Sequence, residues 1–324
     1  MVKAIRIREQ GGPAVMQWVD VEVPPPAPGE AQVEHVACGL NYIDTYHRSG
    51  LYPLPLPSGI GLEGAGTVTA VGEGVSEVKV GDRVAYTGGP VGAYAELRNV
   101  PSHRLVKLPE KFSFIQGAGM MLKGLTVQYL LRRTYRVRPG DTILIHAAAG
   151  GIGLIACNWA KELGATVIGT VGSDAKAELA KANGCDFPIV YTREDFVERV
   201  KEITKGKGLP VVYDSIGKDT WPASLDCLAP LGLMVSFGNA SGPIPPIESQ
   251  MLSAKGSLFF TRPGLMTYVQ KREDLLAMAG ELFDVVGRGV VKIDVRQTYP
   301  LRDAAKAHAD LEGRKTTGTT VFLV

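Results

Sequence analysis

The chain has 324 residues, of which 45% are hydrophobic and 21% charged, and its formal net charge is +2 at pH 7. This composition is typical of a folded globular protein of about two domains. The small net charge weighs against a polyanion such as RNA held by charge alone.

Two further features concern the cellular location. Residues 1–6 alternate charged and apolar side chains and lack the apolar core of a signal peptide, and we see no apolar run that predicts a membrane span. The cysteines form no Cys-x-x-Cys pair, which fits a reducing cytoplasm better than a disulfide framework. They are Cys38, Cys157, Cys185 and Cys227.

The first third of the chain is rich in glycine and proline and contains short β-like runs. These runs lie at 3–8, 32–38, 66–71, 83–86 and 93–99. Their spacing predicts a small, irregular β-barrel. The proline-rich stretches 23–28 and 51–58 are expected to be extended connectors, because consecutive prolines cannot join a helix or a central strand.

A helical passage over 113–133 leads through a turn at 138–141 into an apolar strand at 142–146. A glycine-rich turn, a helix and a second strand at 166–171 follow. This order predicts one βαβ unit, which implies a parallel pair of strands and a right-handed crossover.

The turn after the first strand reads Ala-Ala-Gly-Gly-Ile-Gly over 148–153, a variant of the dinucleotide fingerprint with Ala in the first glycine position. Gly150 would let the backbone approach a pyrophosphate, Gly153 would let helix and strand pack closely, and the helix start would hold the phosphates. Its place between a strand and a helix supports cofactor binding, whereas the alternative is an ordinary tight turn.

The end of the second strand bears on which dinucleotide is bound. NAD sites usually place an acid about 20 residues after the fingerprint, to hold the ribose hydroxyls. Here a Gly172-Ser173 turn follows the strand, with Lys176 beyond it, and both Ser173 and Lys176 suit a 2′-phosphate. Asp174 is an acid that we expect to point at solvent from the next helix. The turn therefore favours NADPH over NADH, although Lys176 is alternatively an ordinary surface lysine.

The alternation of helices and strands continues and predicts a doubly wound parallel sheet. Expected helices lie at 177–183, 195–204 and 220–228, and expected strands at 187–191, 209–214, 232–237 and 256–260. The tail has predicted helices at 272–287 and 301–312 and a strand at 319–323. We expect the tail to return to the first domain, which gives a discontinuous domain of residues 1–122 and 264–324 around a dinucleotide-binding domain of residues 123–263.

Stretches in both predicted domains are similar to those of a known superfamily. They read NYIDTY (41–46), RSGLY (48–52), KGLT (123–126), HAAAGG (146–151) and VYDS (212–215). With them the chain resembles the medium-chain dehydrogenase/reductase superfamily, and within it the bacterial zeta-crystallin-like NADPH:quinone oxidoreductases. The resemblance implies an α/β fold in which a doubly wound parallel Rossmann sheet is inserted in a discontinuous GroES-like β-barrel domain.

The sequence departs from the zinc alcohol dehydrogenases of that superfamily at their metal ligands. Asn41 and Leu62 stand where those enzymes have a catalytic Cys and a His, and neither side chain is a plausible Zn²⁺ ligand. No Cys occurs between Cys38 and Cys157, so the structural zinc loop is also missing. The chain therefore resembles a zinc-free branch with no metal ligands. Without a Lewis acid, reduction of an electron-poor acceptor is easier than oxidation of an alcohol.

By this resemblance, the cofactor is NADPH and its contacts are spread over both predicted domains. The implied residues are Tyr42, Ile43, Asp44, Thr45, Tyr46, Tyr129, Gly150, Gly151, Ile152, Gly153, Gly172, Ser173, Asp174, Ala175, Lys176, Tyr191, Ile216, Gly238, Asn239, Ala240, Ser241, Pro263, Gly264, Leu265 and Arg314. Alternatively, Tyr191 is an ordinary tyrosine at a strand end, Arg314 a surface arginine, and 238–241 and 263–265 linkers.

We expect Asn41, Tyr46, Tyr52 and Tyr129 to form the substrate pocket, because aromatic walls suit a flat quinone and an amide or phenol can bond to its oxygen. Alternatively, the tyrosines fill space. Hydride transfer depends on the cofactor, so we assign no certain catalytic residue. Tyr46 or water would relay the proton, and we expect the five histidines to be structural or on the surface.

Two alternatives to a quinone reductase stay open at this point. One is an NADPH-dependent reductase of alkenal or enone double bonds in the same zinc-free pocket. The other is a nucleotide- or RNA-binding protein with little turnover, against which the small net charge and the lack of a basic, aromatic stripe weigh. The resemblance also implies a homodimer, which the strands at 232–237 and 256–260 would form by pairing a sheet edge with its mate.

Overall fold

A computed structural model describes all 324 residues. The chain forms two compact units: unit 1 is Met1–Leu125, Val269–Phe283 and Ile293–Val324, and unit 2 is Thr126–Tyr268 and Asp284–Lys292. The boundaries between the units lie a few residues after the predicted ones at 122 and 263. A short segment of the tail, Asp284–Lys292, belongs to unit 2 and not to unit 1. Two long helices, α2 (Phe114–Tyr129) and α8 (Arg272–Gly287), run continuously past the divisions.

Unit 1 is built mainly from antiparallel strands. They are β1 (Val2–Ile7), β2 (Gln17–Val21), β3 (Glu30–Leu40), β4 (Ser58–Gly59), β5 (Glu63–Val71), β6 (Arg83–Thr87), β7 (Leu97–Pro101), β8 (Val106–Lys107), β15 (Val295–Pro300) and β16 (Thr319–Leu323). One sheet has the order β15-β16-β3-β5-β6-β8 with β7 also on β3, and a smaller one has the order β2-β1-β4. Strand β3 is long enough to pair its first half with β7 and its second half with β16.

Two helices belong wholly to unit 1, α1 (Tyr42–Ser49) and α9 (Ala304–Glu312). A buried cluster that includes Ile5, Tyr94 and Phe322 joins β1, β16 and α9. Because Phe322 comes from the end of the chain and Ile5 from its beginning, the tail is part of the barrel core.

Unit 2 is a parallel sheet with helices packed on it. Its strands are β9 (Thr142–Ile145), β10 (Thr166–Val171), β11 (Phe187–Val190), β12 (Leu209–Asp214), β13 (Leu228–Ser236) and β14 (Phe259–Thr261). Its helices are α3 (Gly151–Glu162), α4 (Asp174–Lys181), α5 (Phe196–Thr204), α6 (Ser249–Ala254) and α7 (Leu265–Tyr268). The order β11-β10-β9-β12-β13-β14, parallel throughout, confirms the doubly wound Rossmann sheet.

Several local predictions were wrong. The helix expected over 220–228 is a short 3₁₀ turn at Ala223–Cys227, because Pro222 disfavours a helical residue before it and donates no hydrogen bond. The expected strand over 93–99 begins only at Leu97. Helix α1 was not expected at all. The helical passage expected over 113–133 is confirmed, since α2 continues into a π-helical turn at Leu130–Thr134.

None of the helices combines the length and the apolar character that crossing a bilayer requires.

Candidate functional site

The predicted cofactor residues of unit 2 follow the carboxyl ends of strands in one sheet. The fingerprint turn follows β9, Gly172 follows β10, Tyr191 follows β11, Ile216 lies just after β12, and Gly238 lies just after β13. Pro263 lies just after β14. Because all six strands are parallel, their carboxyl ends share one edge of the sheet. The strand order reverses direction at β9 and β12, and ligands bind at such a switch point in doubly wound sheets.

The fingerprint turn is held tightly against the start of α3. Gly150 caps the helix, and its N–H donates to the Ala147 carbonyl over 2.9 Å. A Cβ added to Gly153 would lie 2.3 Å from that carbonyl oxygen, so only glycine lets the helix approach the turn this closely. The first N–H groups of α3 have no acceptor within the helix, which leaves them available for an anion.

The turn after β10 brings together several of the predicted residues. Ser173 caps α4, accepting a hydrogen bond from the Lys176 N–H at 3.4 Å. The Tyr191 hydroxyl lies against Gly172, 2.9 Å from where a Cβ would stand. Asp174 forms an ion pair with Arg193 at 2.6 Å, which lowers the pKa of this carboxyl. Arg193 therefore offsets the negative charge of Asp174, and the sequence reasoning missed it.

A buried chain of hydrogen bonds crosses the ends of β9, β10 and β12. Asp214 can only accept, so the Ser224 hydroxyl donates to it at 2.9 Å and in turn accepts from His146 Nε2 at 2.9 Å. His146 Nδ1 then accepts from the Thr170 hydroxyl at 2.9 Å. Burial lowers the pKa of His146, which is consistent with a neutral ring. His146 therefore has a structural role, as predicted.

The same Asp214 holds the loop that carries Ile216. Its other oxygen accepts from the N–H groups of Ile216 at 2.7 Å and Gly217 at 3.1 Å. Ser241 bonds back to the Ile216 carbonyl through both its N–H and its hydroxyl, each at 2.9 Å. These hydrogen bonds join the loop after β12 to the loop after β13, so Ile216 lies close to the predicted segment 238–241.

The remaining predicted residues of unit 2 lie near these loops or beside the sheet. Arg262 donates to the Gly238 carbonyl at 3.1 Å, just before Pro263, and Leu265 begins α7. Tyr129, at the end of α2, is 2% exposed and one face of its ring stacks on Tyr268 with centroids 4.5 Å apart. Burial raises the pKa of Tyr129, so this phenol keeps its proton.

In unit 1, the predicted residues 41–46 are the cap and the first part of α1. Asn41 and Asp44 form a capping box, with the Asn41 N–H donating to Asp44 Oδ2 at 2.9 Å. The rings of Tyr42, Tyr46 and Tyr52 form a cluster in which centroids are 5.7 Å and 5.1 Å apart. The structure thus brings three of the predicted aromatic residues together.

Tyr42 also lies in the electrostatic field of Arg314. Burial and the charge of Glu312 raise the pKa of Tyr42, and the charges of Arg314 and Arg48 oppose this shift. Arg314 is exposed and has a left-handed backbone, with φ of 59°. The predicted Arg314 is therefore near the α1 segment.

Asn41, which stands where the zinc alcohol dehydrogenases have a catalytic Cys, belongs to a network of hydrogen bonds around Glu63. Asn41 Nδ2 donates to Glu63 Oε2 at 2.7 Å, and the Leu122 N–H donates to Glu63 Oε1 at 2.8 Å. Lys123 Nζ lies 3.6 Å from Glu63 Oε2 and donates to the Leu40 carbonyl at 3.1 Å. Nowhere in the chain do three or more His, Cys, Asp or Glu side chains converge as a metal site would require.

A second buried network starts from the α1 cap. Arg48 is a donor only, so His308 Nδ1 accepts from it at 3.2 Å and Nε2 donates to the Tyr94 hydroxyl at 3.2 Å. Tyr94 donates to Asp44 Oδ2 at 2.8 Å, and Arg48 also binds Glu312 through two bonds of 2.7 and 2.9 Å. Burial raises the pKa of Asp44 to about 7. This network ties α1 to α9.

The structure thus groups the predicted residues within each unit and adds partners that sequence reasoning missed. Those partners are Glu63, Lys123, Tyr94, His308 and Arg193. The sequence held a signal for two of them: Glu63 follows Leu62, one of the two positions that depart from the zinc enzymes, and Lys123 begins the KGLT stretch. The others come from distant segments with no recognisable spacing.

Comparisons with known proteins identify the family of the chain. Residues 27–110 match the family of the alcohol dehydrogenase GroES-like domain, and residues 151–278 match the family described as zinc-binding dehydrogenase. A quinone oxidoreductase of Pseudomonas aeruginosa is 55% identical over 324 residues, which is 100% of both chains. The chain belongs to the quinone oxidoreductase family. It is an enzyme of the oxidoreductase class within the medium-chain dehydrogenase/reductase superfamily.

Two other relatives extend this comparison. The crystal structure of Escherichia coli quinone oxidoreductase complexed with NADPH matches with a TM-score of 0.98 and 51% identity, covering 99% of this chain and 100% of the other. A 2-haloacrylate reductase of Burkholderia sp. is 47% identical and covers 100% of this chain and 99% of its own. Relatives that are about half identical to this chain over its full length therefore carry the names of two different substrates.

Proposed function

We propose that this protein reduces quinones with NADPH. When bound, NADPH supplies a hydride from C4 of its nicotinamide, and one proton completes the hydroquinone. The observation that carries the proposal is the set of residues after the six parallel strands, with the capped, acid-free tip of β10 among them. The NADPH complex of the E. coli relative supports the same cofactor.

In this proposal the start of α3 receives the pyrophosphate through its unpaired N–H groups. Gly172, Ser173 and Lys176 receive the 2′-phosphate, with Arg193 offsetting the charge of Asp174. Tyr191 covers the adenosine side from its place beside Gly172. Segments 42–46, 238–241 and 263–265, with Tyr129, Ile216 and Arg314, supply the remaining contacts.

For the substrate we assign Asn41, Tyr46 and Tyr52, with Tyr129 as a further wall. The Asn41 amide is oriented by Glu63 and the α1 cap, so it presents a defined group to a quinone oxygen. We propose that the reaction needs no zinc, because Asn41 and Leu62 supply neither a thiolate nor an imidazole. Tyr46 or water delivers the proton.

A second candidate is the reduction of an activated carbon–carbon double bond. The relative named 2-haloacrylate reductase favours it, since it is 47% identical over the whole chain. The same hydride would then go to an electron-poor alkene carbon, and a proton to its neighbour.

The test is NADPH and NADH oxidation with 1,4-benzoquinone and with an α,β-unsaturated ketone, before and after dialysis against a chelator. We expect NADPH-dependent quinone reduction that survives the chelator. Lys176→Ala should weaken NADPH affinity by about one to two orders of magnitude, since a phosphate–lysine contact is a charge-assisted bond of about 1.5–3 kcal/mol. Lys181→Ala, an exposed lysine at the other end of α4, is the matched control and should have no effect.

Turnover of the ketone alone would move the assignment to the second candidate. Equal use of NADH with no effect of Lys176→Ala would refute the assignment of the 172–176 turn to the 2′-phosphate. Activity lost with bound Zn²⁺ on chelation would refute the zinc-free reaction.

We also propose a homodimer formed through β14. Of the two strands expected to form the edge, β13 lies inside the sheet and β14 is an edge strand, which corrects that expectation. Phe259 on β14 is 58% exposed and Leu231 is 66% exposed, and a second copy would cover both the apolar side chains and the unpaired backbone. Sedimentation at micromolar concentration should give a dimer, and Phe259→Asp should shift it toward the monomer. A wild-type monomer would refute this proposal.

We propose a cytoplasmic location, because the four cysteines are all free and buried and form no disulfide, as is usual in a reducing compartment. Recovery of the protein in a membrane or secreted fraction would contradict it.

A further inference from the structure

The amino ends of the six parallel strands share the edge of the unit 2 sheet that lies opposite the predicted cofactor residues. Strands β9 and β12 are neighbours there, with Leu144 in register with Val212. The segments that lead into these two strands, 135–141 and 205–208, therefore lie side by side. We call them the amino-edge turns. None of their residues belongs to the cofactor or substrate residues assigned above.

Both amino-edge turns project into solvent. Gly140 and Gly206 have left-handed backbones, with φ of 88° and 76°, and they turn the chain before the strands begin. A Cβ added to either glycine would meet no atom within 4 Å. The tip of each turn therefore stands clear of the rest of the chain, which suits contact with a surface more than enclosure of a small ligand.

The amino-edge turns carry four exposed cations that have no counter-ion. They are Arg136, Arg138, Lys205 and Lys207. No ion pair and no side-chain hydrogen bond involves any of the four. Their side chains are free to reach an external anion. Positive charge is thus concentrated at one edge, although the net charge of the whole chain is only +2.

Asp141 is the one acid within the amino-edge turns, and it reduces their charge only in part. It is half-buried, and it accepts hydrogen bonds from the Tyr135 hydroxyl at 3.3 Å and from the Arg138 N–H at 2.8 Å. One carboxylate against four cations leaves the turns positive.

Other negative charge at this edge is already balanced. Helix α5 ends beside the second turn, and Lys205, its C-cap, offsets the partial negative charge of that helix end. Asp186 pairs with Lys161 at 2.5 Å, and Glu162 pairs with Arg288 at 3.3 Å. These acids therefore do not neutralise the amino-edge turns.

The side chains of the turns distinguish between the polyanions that they could meet. Proteins that bind single-stranded nucleic acid stack aromatic rings on the bases. The one aromatic ring in the turns is Tyr135, which is half-buried and donates to Asp141. Flexible lysine and arginine side chains without exposed aromatic rings suit a surface of diffuse negative charge, such as the headgroups of anionic lipids.

We propose that the amino-edge turns bind the surface of a bilayer that contains anionic phospholipids. The four cations lie against the negative headgroups, and no segment of the chain needs to enter the hydrocarbon core. Binding of this kind is electrostatic and reversible. A cytoplasmic protein held in this way leaves the membrane at high salt, so the proposal is compatible with the location given above.

The test is co-sedimentation of the purified full-length protein with vesicles, either of phosphatidylcholine alone or with about 30% phosphatidylglycerol added. At about 50 mM salt we expect binding to the anionic vesicles only. At about 500 mM salt this binding should be lost, because exposed charges are then screened within about 5 Å.

Two double variants locate the binding surface. Each cation near an anionic membrane contributes about fivefold to the partition constant. Lys205→Gln with Lys207→Gln, and Arg136→Gln with Arg138→Gln, should therefore each weaken binding about ten- to thirtyfold. Arg302→Gln with Lys306→Gln is the matched control, since it removes the same charge from exposed positions of unit 1 that form no ion pair.

Absence of binding to the anionic vesicles at low salt would overturn the proposal, and so would equal binding to the neutral vesicles. An equal loss in the control variant would show an effect of net charge alone and overturn it too. A single-stranded RNA that binds more tightly than the vesicles, and loses affinity in the two edge variants, would replace the lipid assignment. The quinone reductase assay is independent of these outcomes, because no substituted residue is assigned to that reaction.

Discussion

The Glu63 carboxylate is buried in unit 1 among groups that donate hydrogen bonds or positive charge to it. The carboxylate is 0% exposed, and it is surrounded by the Asn41 amide, the Leu122 N–H and the Lys123 ammonium. A Cβ on Gly39 would lie 2.2 Å from Glu63 Oε2, so glycine at that position is required for the approach. Burial raises the pKa of Glu63, and the Lys123 charge opposes this shift. Glu63 and Lys123 depend on each other, because removing one of them leaves the other as a buried, unpaired charge.

His308 gives a prediction for acid pH. Burial lowers its pKa from 6.5 to about 3, so the ring is neutral in the fold at pH values where the unfolded chain binds a proton. Stability is therefore complete above about pH 6.5 and is lost as the pH falls toward 3. In His308→Gln, the free energy of unfolding between about pH 4 and 6 should fall less steeply, by up to ~1.4 kcal/mol per pH unit.

Urea unfolding at several pH values measures this slope, and His103→Gln, at an exposed histidine, is the control. An unchanged slope in His308→Gln would contradict the assignment of a neutral ring. Asp44 acts in the opposite direction: its pKa rises from 3.8 to about 7, so the stability it contributes at acid pH is lost as the pH rises between those values.

At the scale of elements, the ends of the parallel strands are organised by side chains as well as by the sheet. Asp214, Ser224, His146 and Thr170 connect β12, the 3₁₀ turn, β9 and β10 in one oriented chain of hydrogen bonds. Asp214 also accepts a hydrogen bond from the N–H of Ile216 in the following loop. Loss of one of these hydrogen bonds is therefore expected to displace Ile216, a predicted cofactor contact.

Ser224→Ala should break that chain. It leaves buried His146 Nε2 and Asp214 Oδ2 each short of a partner, which costs about 1–3 kcal/mol of stability. We also expect weaker NADPH binding, because the Ile216 loop loses support. Urea unfolding and a fluorescence titration with NADPH measure the two effects. Ser253→Ala, on the exposed side of α6, is the control. Unchanged stability would mean that water replaces the hydroxyl.

At the scale of the whole molecule, unit 1 is completed only by the end of the chain. Strand β16 lies between β15 and β3, and Phe322 pairs in register with Cys38. The Phe322 ring is fully buried and meets Tyr94 edge-on, with centroids 4.7 Å apart. Folding of this unit therefore joins segments about three hundred residues apart, as the discontinuous domain requires.

Phe322→Ala tests how far unit 1 depends on this closing strand. Removing a buried phenylalanine should lower stability by about 3–5 kcal/mol. Leu323→Ala is a matched control one residue away on the other face, where the side chain is 39% exposed, and it should change stability by less than about 1 kcal/mol. The midpoints of chemical unfolding compare the two. Equal effects would contradict the observed register of β16.

The sequence by itself determined the class of fold, the fingerprint turn and the course of most parallel strands. Strands such as β10 and β12 were predicted at their observed bounds, because a buried parallel strand is a short apolar run bounded by turn residues. The resemblance added the family, which full-length relatives confirm. These features depend on the spacing of apolar and turn residues along a short segment, which can be recognised in a single sequence.

Only the tertiary structure decided which side chains became partners. The Glu63–Lys123 pair and the Arg48–His308 hydrogen bond depend on contacts between residues far apart in sequence. The helix expected over 220–228 failed for a related reason, since its apolar residues pack into the core from a 3₁₀ turn after Pro222. A residue type states what a side chain can bond to, whereas burial and distance, which arise on folding, decide what it does bond to.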